Sequence, residues 1–456
     1  MVLISTLALR FQAVHLCFER PNFITEGVLS RAMWRIRELD CPRNATAAAI
    51  GCFAIFVSCG PIAAEEGVFA VVEDIRTPAG PGAREPSLYS LNDGRVAMIW
   101  TEPSPDGHSV ELAIGDEGAW ETRGRVVESG DLFVNWADFP SIAVLGDGTV
   151  VAHWLRESTA VSYAYDVNLA LSRDGGRTWS APITPHGDGT ASQHGFVSLL
   201  PVDKEKLAVI WLDGRAYGSA RPLPTAQEVP DAMQLRAAFL DSDGELTAET
   251  VLDLQTCTCC QTSATVAEHD TVLVAYRDRT ADEIRDISIV RFREGRWSDP
   301  LTVHADGWEI SGCPVNGPAI DAVGTSVAVA WFTAARDIPI VNVAFSTDGG
   351  LSFDAPFRVD GGKVAGRVDV LMLEDGSALV SWVEWTEEGE KLQLCQATPE
   401  DGCGPPETIT VNSAPGSMNF PRMVLSGDAV FIAWSQPGAA GAPDSIRLVK
   451  AYLSAP

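Results

Sequence analysis

Apolar and polar positions recur along this chain in one unit, repeated seven times between residue 87 and the C-terminus. Each unit has an apolar stretch, a tight polar turn, and a run of small and β-branched residues closed by an aromatic. The closing runs are Val96-Ala97-Met98-Ile99-Trp100, Val150-Val151-Ala152-His153-Trp154, Leu207-Ala208-Val209-Ile210-Trp211, Val272-Leu273-Val274-Ala275-Tyr276, Val327-Ala328-Val329-Ala330-Trp331, Ala378-Leu379-Val380-Ser381-Trp382 and Val430-Phe431-Ile432-Ala433-Trp434. Their aromatics stand 51 to 65 residues apart. That period suits one four-stranded propeller blade with its loops and is too long for a helical or leucine-rich solenoid. The pattern predicts an all-β propeller of four-stranded blades, seven in number, with six as the alternative count.

Within a unit, an inner strand leads through turns such as Asn92-Asp93-Gly94 or Asp375-Gly376 into the aromatic-closed strand. A third strand and a more variable outer strand follow. The last unit runs out of chain after its third strand, whereas Val68-Phe69-Ala70-Val71-Val72 stands alone ahead of the first unit. Pairing the two closes the ring and leaves no open seam.

The 40 glycines and 28 prolines are spread as turn residues and leave little room for long helices. Residues 65–456 read as one domain. Residues 1–64 read as an upstream extension and export signal: Arg35, Arg37 and Arg43, the apolar run Ala47 to Ser58, then Ala63-Ala64. Met33 is a possible start. Cys59, within Phe56-Val57-Ser58-Cys59-Gly60, is a possible site for a lipid anchor. These features predict a periplasmic or extracellular monomer with no transmembrane anchor. Without the first 64 residues, 27 Lys and Arg face 57 Asp and Glu. So acidic a surface argues against nucleic acid as a partner and leaves a small-molecule or glycan ligand, held where basic residues are gathered locally.

Strand alternation places the start of every inner strand and the end of every aromatic-closed strand on one rim. Arg84, Asp138, His194, Cys257-Thr258-Cys259-Cys260, Cys313, Arg367 and Asn419 fall there, as do Glu102, Asp213, Arg215, Arg277, Asp278 and Arg279. Alternating charges in Tyr276-Arg277-Asp278-Arg279 suggest a built polar pocket.

Two turns, Ser172-Arg173-Asp174-Gly175-Gly176-Arg177-Thr178-Trp179 and Ser346-Thr347-Asp348-Gly349-Gly350-Leu351-Ser352-Phe353, resemble the Asp box of the sialidase superfamily. Their physical role is a folded turn in which Asp accepts backbone N–H bonds and Gly takes a positive φ. Arg84-Glu85-Pro86 resembles the Arg-Ile-Pro stretch opening sialidase domains. The resemblance implies that Arg84, with Arg277 and Arg367, binds a substrate carboxylate, and that Glu102 or Asp138 serves as general acid. It also implies six blades and a late tyrosine nucleophile, yet after Tyr276 the next tyrosine is Tyr452. Cys-Thr-Cys-Cys-Gln-Thr, Tyr-Arg-Asp-Arg and Gly-Cys-Pro-Val-Asn-Gly-Pro are similar to segments of bacterial exo-sialidase-like proteins. The leading expectation is binding or hydrolysis of an acidic glycan.

The cysteines give a second expectation. Cys257, Cys259, Cys260 and Cys313 precede neighbouring inner strands and could gather on a soft ion such as copper, with His194 as a further ligand. Disulfides are the competing reading, and a reactive thiol a third. Cys395 and Cys403 flank a short turn and are expected to pair. A non-catalytic interaction scaffold is the remaining function class.

Overall fold

The computed structural model describes residues 67–454 other than 117–118, 162, 218–231, 388, 414–417 and 439–440. The expectations at residues 1–64, including Met33 and Cys59, lie outside the described residues.

Seven small antiparallel sheets are arranged as the blades of a propeller. The inner strands are Arg84–Ser90, Ser141–Val144, His194–Pro201, Ser263–Ala267, Ala319–Val323, Val364–Met372 and Arg422–Ser426. Each lies beside the inner strand of the next blade, and the seventh lies beside the first. The ring therefore has seven blades and not six. The strand Phe69–Ile75 pairs antiparallel with Ser445–Leu453, Glu73 opposite Lys450 and Ile75 opposite Leu448, and supplies the outer strand of the seventh blade.

The expectation of four strands in every blade needs one correction. The second blade has three, Ser141–Val144, Val150–Glu157 and Tyr165–Ser172, with only an isolated bridge from Leu169 to Ile183 at its outer edge. Pro182 and Pro185 flank that bridge and carry no N–H for a ladder. Proline also splits the outer strands of the fourth and sixth blades, at Pro300 and at Pro405-Pro406.

Small and β-branched residues in the second strands pack flat against adjacent sheets, and their closing aromatics fill the wedge between blades. Trp100, Trp211, Trp331, Trp382 and Trp434 are buried almost completely. Four of them donate the indole N–H two residues along their own strand: Trp100 to Glu102 at 3.0 Å, Trp211 to Asp213 at 2.8 Å, Trp382 to Glu384 at 2.8 Å and Trp434 to Gln436 at 3.4 Å. Residues two apart on a strand share a face, so this clasp is local. It satisfies a polar group that would be costly to bury unpaired. Trp331 instead donates to Asp306 of the preceding blade at 2.6 Å.

The two Ser-x-Asp turns are also closed locally. Asp174 Oδ1 accepts from the amides of Arg177 and Thr178 at 3.0 and 2.9 Å, and Asp348 Oδ1 accepts from Leu351 and Ser352 at 2.9 Å each. The Ser172 and Ser346 hydroxyls accept from Gly176 and Gly350 at 2.8 and 2.9 Å. Gly176 has φ +86°, and a Cβ there would lie 2.5 Å from Leu112 of the first blade, so glycine lets the turn press on its neighbour. Trp179 and Phe353 pack into the adjoining interblade cores.

Candidate functional site

Register puts the predicted site residues on one rim: Arg84 pairs with Thr101, His194 with Asp213, and Val364 with Glu384. Their side chains do not form one constellation. Arg84 is 45% exposed and pairs with Asp444 of the seventh blade at 3.2 Å. Arg277 is buried between the fourth and fifth blades, where Nε, Nη1 and Nη2 donate to the carbonyls of Asn316, Arg285 and Phe332 at 2.9, 2.7 and 2.6 Å. Trp308 lies under its guanidinium at 4.9 Å. Each Arg277 nitrogen is thus tied to a backbone carbonyl in the seam between two blades, and the expected three-arginine cradle does not form.

Arg367, in the sixth blade, is placed differently. A bulge in its inner strand sets Gly366 and Arg367 at φ +82° and +57°. A Cβ at residue 366 would come within 2.3 Å of Asn316 Oδ1, the oxygen that accepts the Arg367 amide at 2.8 Å. Nη1 of Arg367 donates to buried Glu390 at 3.1 Å, whereas Nε and Nη2 donate to no protein atom among the described residues. Its guanidinium lies 5.5 Å from the Trp136 ring and 5.9 Å from that of Trp385. These tryptophans are 41% and 38% exposed.

From Trp136 the aromatic arc continues to Phe420, stacked at 5.8 Å, then to Phe139 at 5.9 Å and to Arg422, 5.8 Å from the Phe139 ring. Trp136 belongs to the loop before the second blade, while Arg367 and Phe420 belong to the sixth blade and the approach to the seventh, so the arc bridges the channel mouth. Beneath it lies a polar cavity of about 150 Å³ lined by Asp138, Ser198, Gln261, Thr262 and Arg422, among others. That volume suits water; small-molecule sites run to roughly 300–1,000 Å³.

The two expected acids have different environments. Glu102 accepts from Trp100 Nε1 and from the Gly80 amide at 2.9 Å, and pairs with Arg123 at 3.3 Å. It is a clasp for the first blade and is not placed as a general acid. Asp138 is buried, accepting from the Phe196 amide at 2.8 Å and the Tyr165 hydroxyl at 3.1 Å. Burial outweighs both bonds and lifts its carboxyl to about 7. Asp278 accepts from the Arg279 amide and the Ser288 hydroxyl, and burial, then nearby Asp253, lift it to about 6. Arg279 is held by Glu283 at 2.5 Å. Neither Asp278 nor Arg279 forms a hydrogen bond or ion pair with an arc residue among the described residues.

The cysteines form a corner between the fourth and fifth blades. Cys259 and Cys313 are joined as a disulfide, and Cys395 is joined to Cys403 in the sixth blade. Cys257 and Cys260 are free, buried thiols with sulfurs 3.4 Å apart. His194 is not with them. Its Nδ1 lies 3.4 Å from Asp166 and its Nε2 lies 3.2 Å from Asp188 and 3.6 Å from Asp213. Of the competing readings, the disulfide one holds at Cys259 and Cys313, which are spent on each other; the five-ligand soft-ion site does not form, and the histidine belongs to another cluster.

That cluster, between the second and third blades, was largely missed in the sequence. His186 stacks on His194 with ring centroids 3.8 Å apart, and Arg215 binds Asp213 at 2.6 Å and Glu249 at 2.7 Å. Burial opposes charge on His194, yet Asp166 and Asp188, with Asp213 nearby, raise it to about 10. Ligand atoms of Asp166, His186 and His194 lie within 4.8 Å of one another and could hold a cation. With Arg215 Nη2 only 3.6 Å from Asp188, the cluster also works as a self-neutralising ion network.

No helix among the described residues is long and apolar enough to cross a membrane. No protein-family model matches the chain, and no curated protein matches it. Among solved structures, it is similar to a protein of unknown function from Dyadobacter fermentans, at 14% identity, with 85% of this chain and 99% of that one covered and a TM-score of 0.48. It is similar to an α-L-arabinofuranosidase from Fusarium graminearum, at 14% identity, 84% and 98% coverage and a TM-score of 0.44. A polysaccharide lyase matches at 10% identity, 87% and 94% coverage and a TM-score of 0.47. Likenesses this distant carry no conclusion about what this chain does.

Proposed function

We propose that the channel mouth binds an acidic carbohydrate without cleaving it. One observation carries this reading: Arg367 lies between two half-exposed tryptophans with Nε and Nη2 undonated. A guanidinium with open N–H groups suits a carboxylate, and indole faces suit the apolar face of a pyranose ring. The net acidity of the chain makes such a local cation the natural anchor for an anionic ligand.

Binding is favoured over hydrolysis because the acids and tyrosines expected to act, all among the described residues, are engaged elsewhere. Glu102 is clasped to Trp100, and Asp138 lies below the arc with both oxygens engaged. Tyr276 donates to Asp253 at 2.5 Å, and Tyr452 lies in the third strand of the last blade beside Lys450. The two Ser-x-Asp turns support descent from sialidase-type propellers. The export-like segment and the two disulfides support an extracytoplasmic location.

Titration calorimetry with N-acetylneuraminate, glucuronate and galacturonate, each against its methyl ester, tests the reading. At least one free acid should bind, its ester should bind about tenfold or more weakly, and Trp136→Ala should weaken both. Equal binding of acid and ester, or no binding of any sugar up to about 10 mM, a level corresponding to very weak affinity, would refute it.

A further inference from the structure

The cysteine corner holds three features that a purely structural bridge does not require. First, the buried thiol of Cys257 lies 4.0 Å from Cys259 Sγ, inside reach of the Cys259–Cys313 disulfide, and 3.4 Å from Cys260 Sγ. Second, Arg285 Nη1 donates to Cys257 Sγ at 3.3 Å from a buried position. Third, the disulfide spans inside and outside, since Cys259 is buried and Cys313 is exposed. Cys257 and Cys260 are also spaced as Cys-x-x-Cys, a loop short enough to close on itself.

We propose that this corner is a thiol–disulfide exchange relay. Cys257 attacks Cys259 of the Cys259–Cys313 bridge, and Cys260 resolves the product, so that the disulfide moves from the exposed Cys313 to the buried Cys257–Cys260 pair.

The steps balance without an added oxidant or reductant. Cys257, as thiolate, forms a bond to Cys259 Sγ while the Cys259–Cys313 bond breaks. The electron pair leaves on Cys313, which takes a proton from solvent. Cys260 then attacks Cys257 Sγ, the Cys257–Cys259 bond breaks, and the proton of Cys260 passes to the departing Cys259. One disulfide and two thiols are present before and after. What changes is that a thiol replaces half a disulfide at the surface, where Cys313 can exchange with a small thiol or a cysteine of a partner protein. The local electrostatics suit the order of events. The Cys260 thiol bonded to Cys257, with Arg277 and Arg285 nearby, overcomes burial and lowers Cys257 to about 6. Burial and the adjacent Cys257 push Cys260 well up. The first is the attacking group, the second the resolving one.

Disulfide mapping of the intact protein decides the matter. The protein is held near pH 8 for a day, quenched in acid, alkylated and analysed by peptide mass spectrometry. Both Cys259–Cys313 and Cys257–Cys260 linkages should be found, with two of the four thiols of Cys257, Cys259, Cys260 and Cys313 free throughout. In Cys260→Ser the relay should stall as a Cys257–Cys259 linkage with Cys313 open to iodoacetamide. In Cys257→Ser only Cys259–Cys313 should remain. Arg285→Gln should slow labelling of Cys313 by about twofold near neutral pH and little at about pH 9, where the thiolate forms unaided. If the native protein shows only Cys259–Cys313, and Cys313 is never labelled without denaturant, the relay does not exist.

Discussion

Arg277 and Arg367 are both buried, both lie on the same rim and both have an aromatic ring beside the guanidinium, yet their duties differ. Arg277 spends three nitrogens on three backbone carbonyls from its own and the neighbouring blade, welding the fourth blade to the fifth. Arg367 spends one nitrogen on Glu390 and keeps the others open beneath exposed tryptophans. Burial alone therefore does not separate a structural cation from an available one; the count of satisfied donors does.

One substitution applied at both positions tests that contrast. Arg277→Lys should cost ~3 kcal/mol in chemical denaturation, because a lysine at this place leaves at least two buried carbonyls without their donors at about 1–3 kcal/mol each. A loss below ~1 kcal/mol would mean that the weld is ornamental.

The expected acids offer a second contrast, of intermediate size. The folded-state value of Asp138, about 7, lies above that of an unfolded aspartate. The folded state thus holds this proton more tightly, and the stability it contributes is complete below about pH 4 and lost as pH rises through about 7. Asp138→Asn cannot ionise. It should match the parent at about pH 3 to 4 and already exceed it by ~2 kcal/mol at about pH 5.5. Parallel stability curves for the two proteins would contradict that environment.

The smallest effect is expected where a ligand would bind. Arg367→Lys keeps a cation facing Glu390, so the unfolding midpoint should shift by ~1 kcal/mol or less, while affinity for an acidic sugar falls about tenfold. A large loss of stability with unchanged affinity would reverse the roles of the two arginines.

The seven second strands were legible because apolar runs closed by an aromatic are a local signal, and the lone strand near Phe69 could be assigned by noticing which blade lacked one. The outer strands were less so: Pro182, Pro300 and Pro405 break their ladders without erasing the repeat. Two short-range signals went unread. Acids or amides two residues after Trp100, Trp211, Trp382 and Trp434 mark the indole clasp and already argue that Glu102 is structural. The Cys-x-x-Cys spacing of Cys257 and Cys260 hints at a redox pair. The fates of the arginines could not be read, since the carbonyls around Arg277 come from residues 285, 316 and 332, and Trp136 reaches Arg367 only across the assembled ring. His186 sits in an irregular segment that no repeat position predicts.

The pairing of Phe69–Ile75 with Ser445–Leu453 has a kinetic corollary. During synthesis Phe69–Ile75 must wait, its ladder groups unpaired, until residues 445–453 have emerged. Shortening Ser445–Leu453 should for that reason leave the seventh blade open and expose two sheet edges at once, turning a closed ring into a self-associating one.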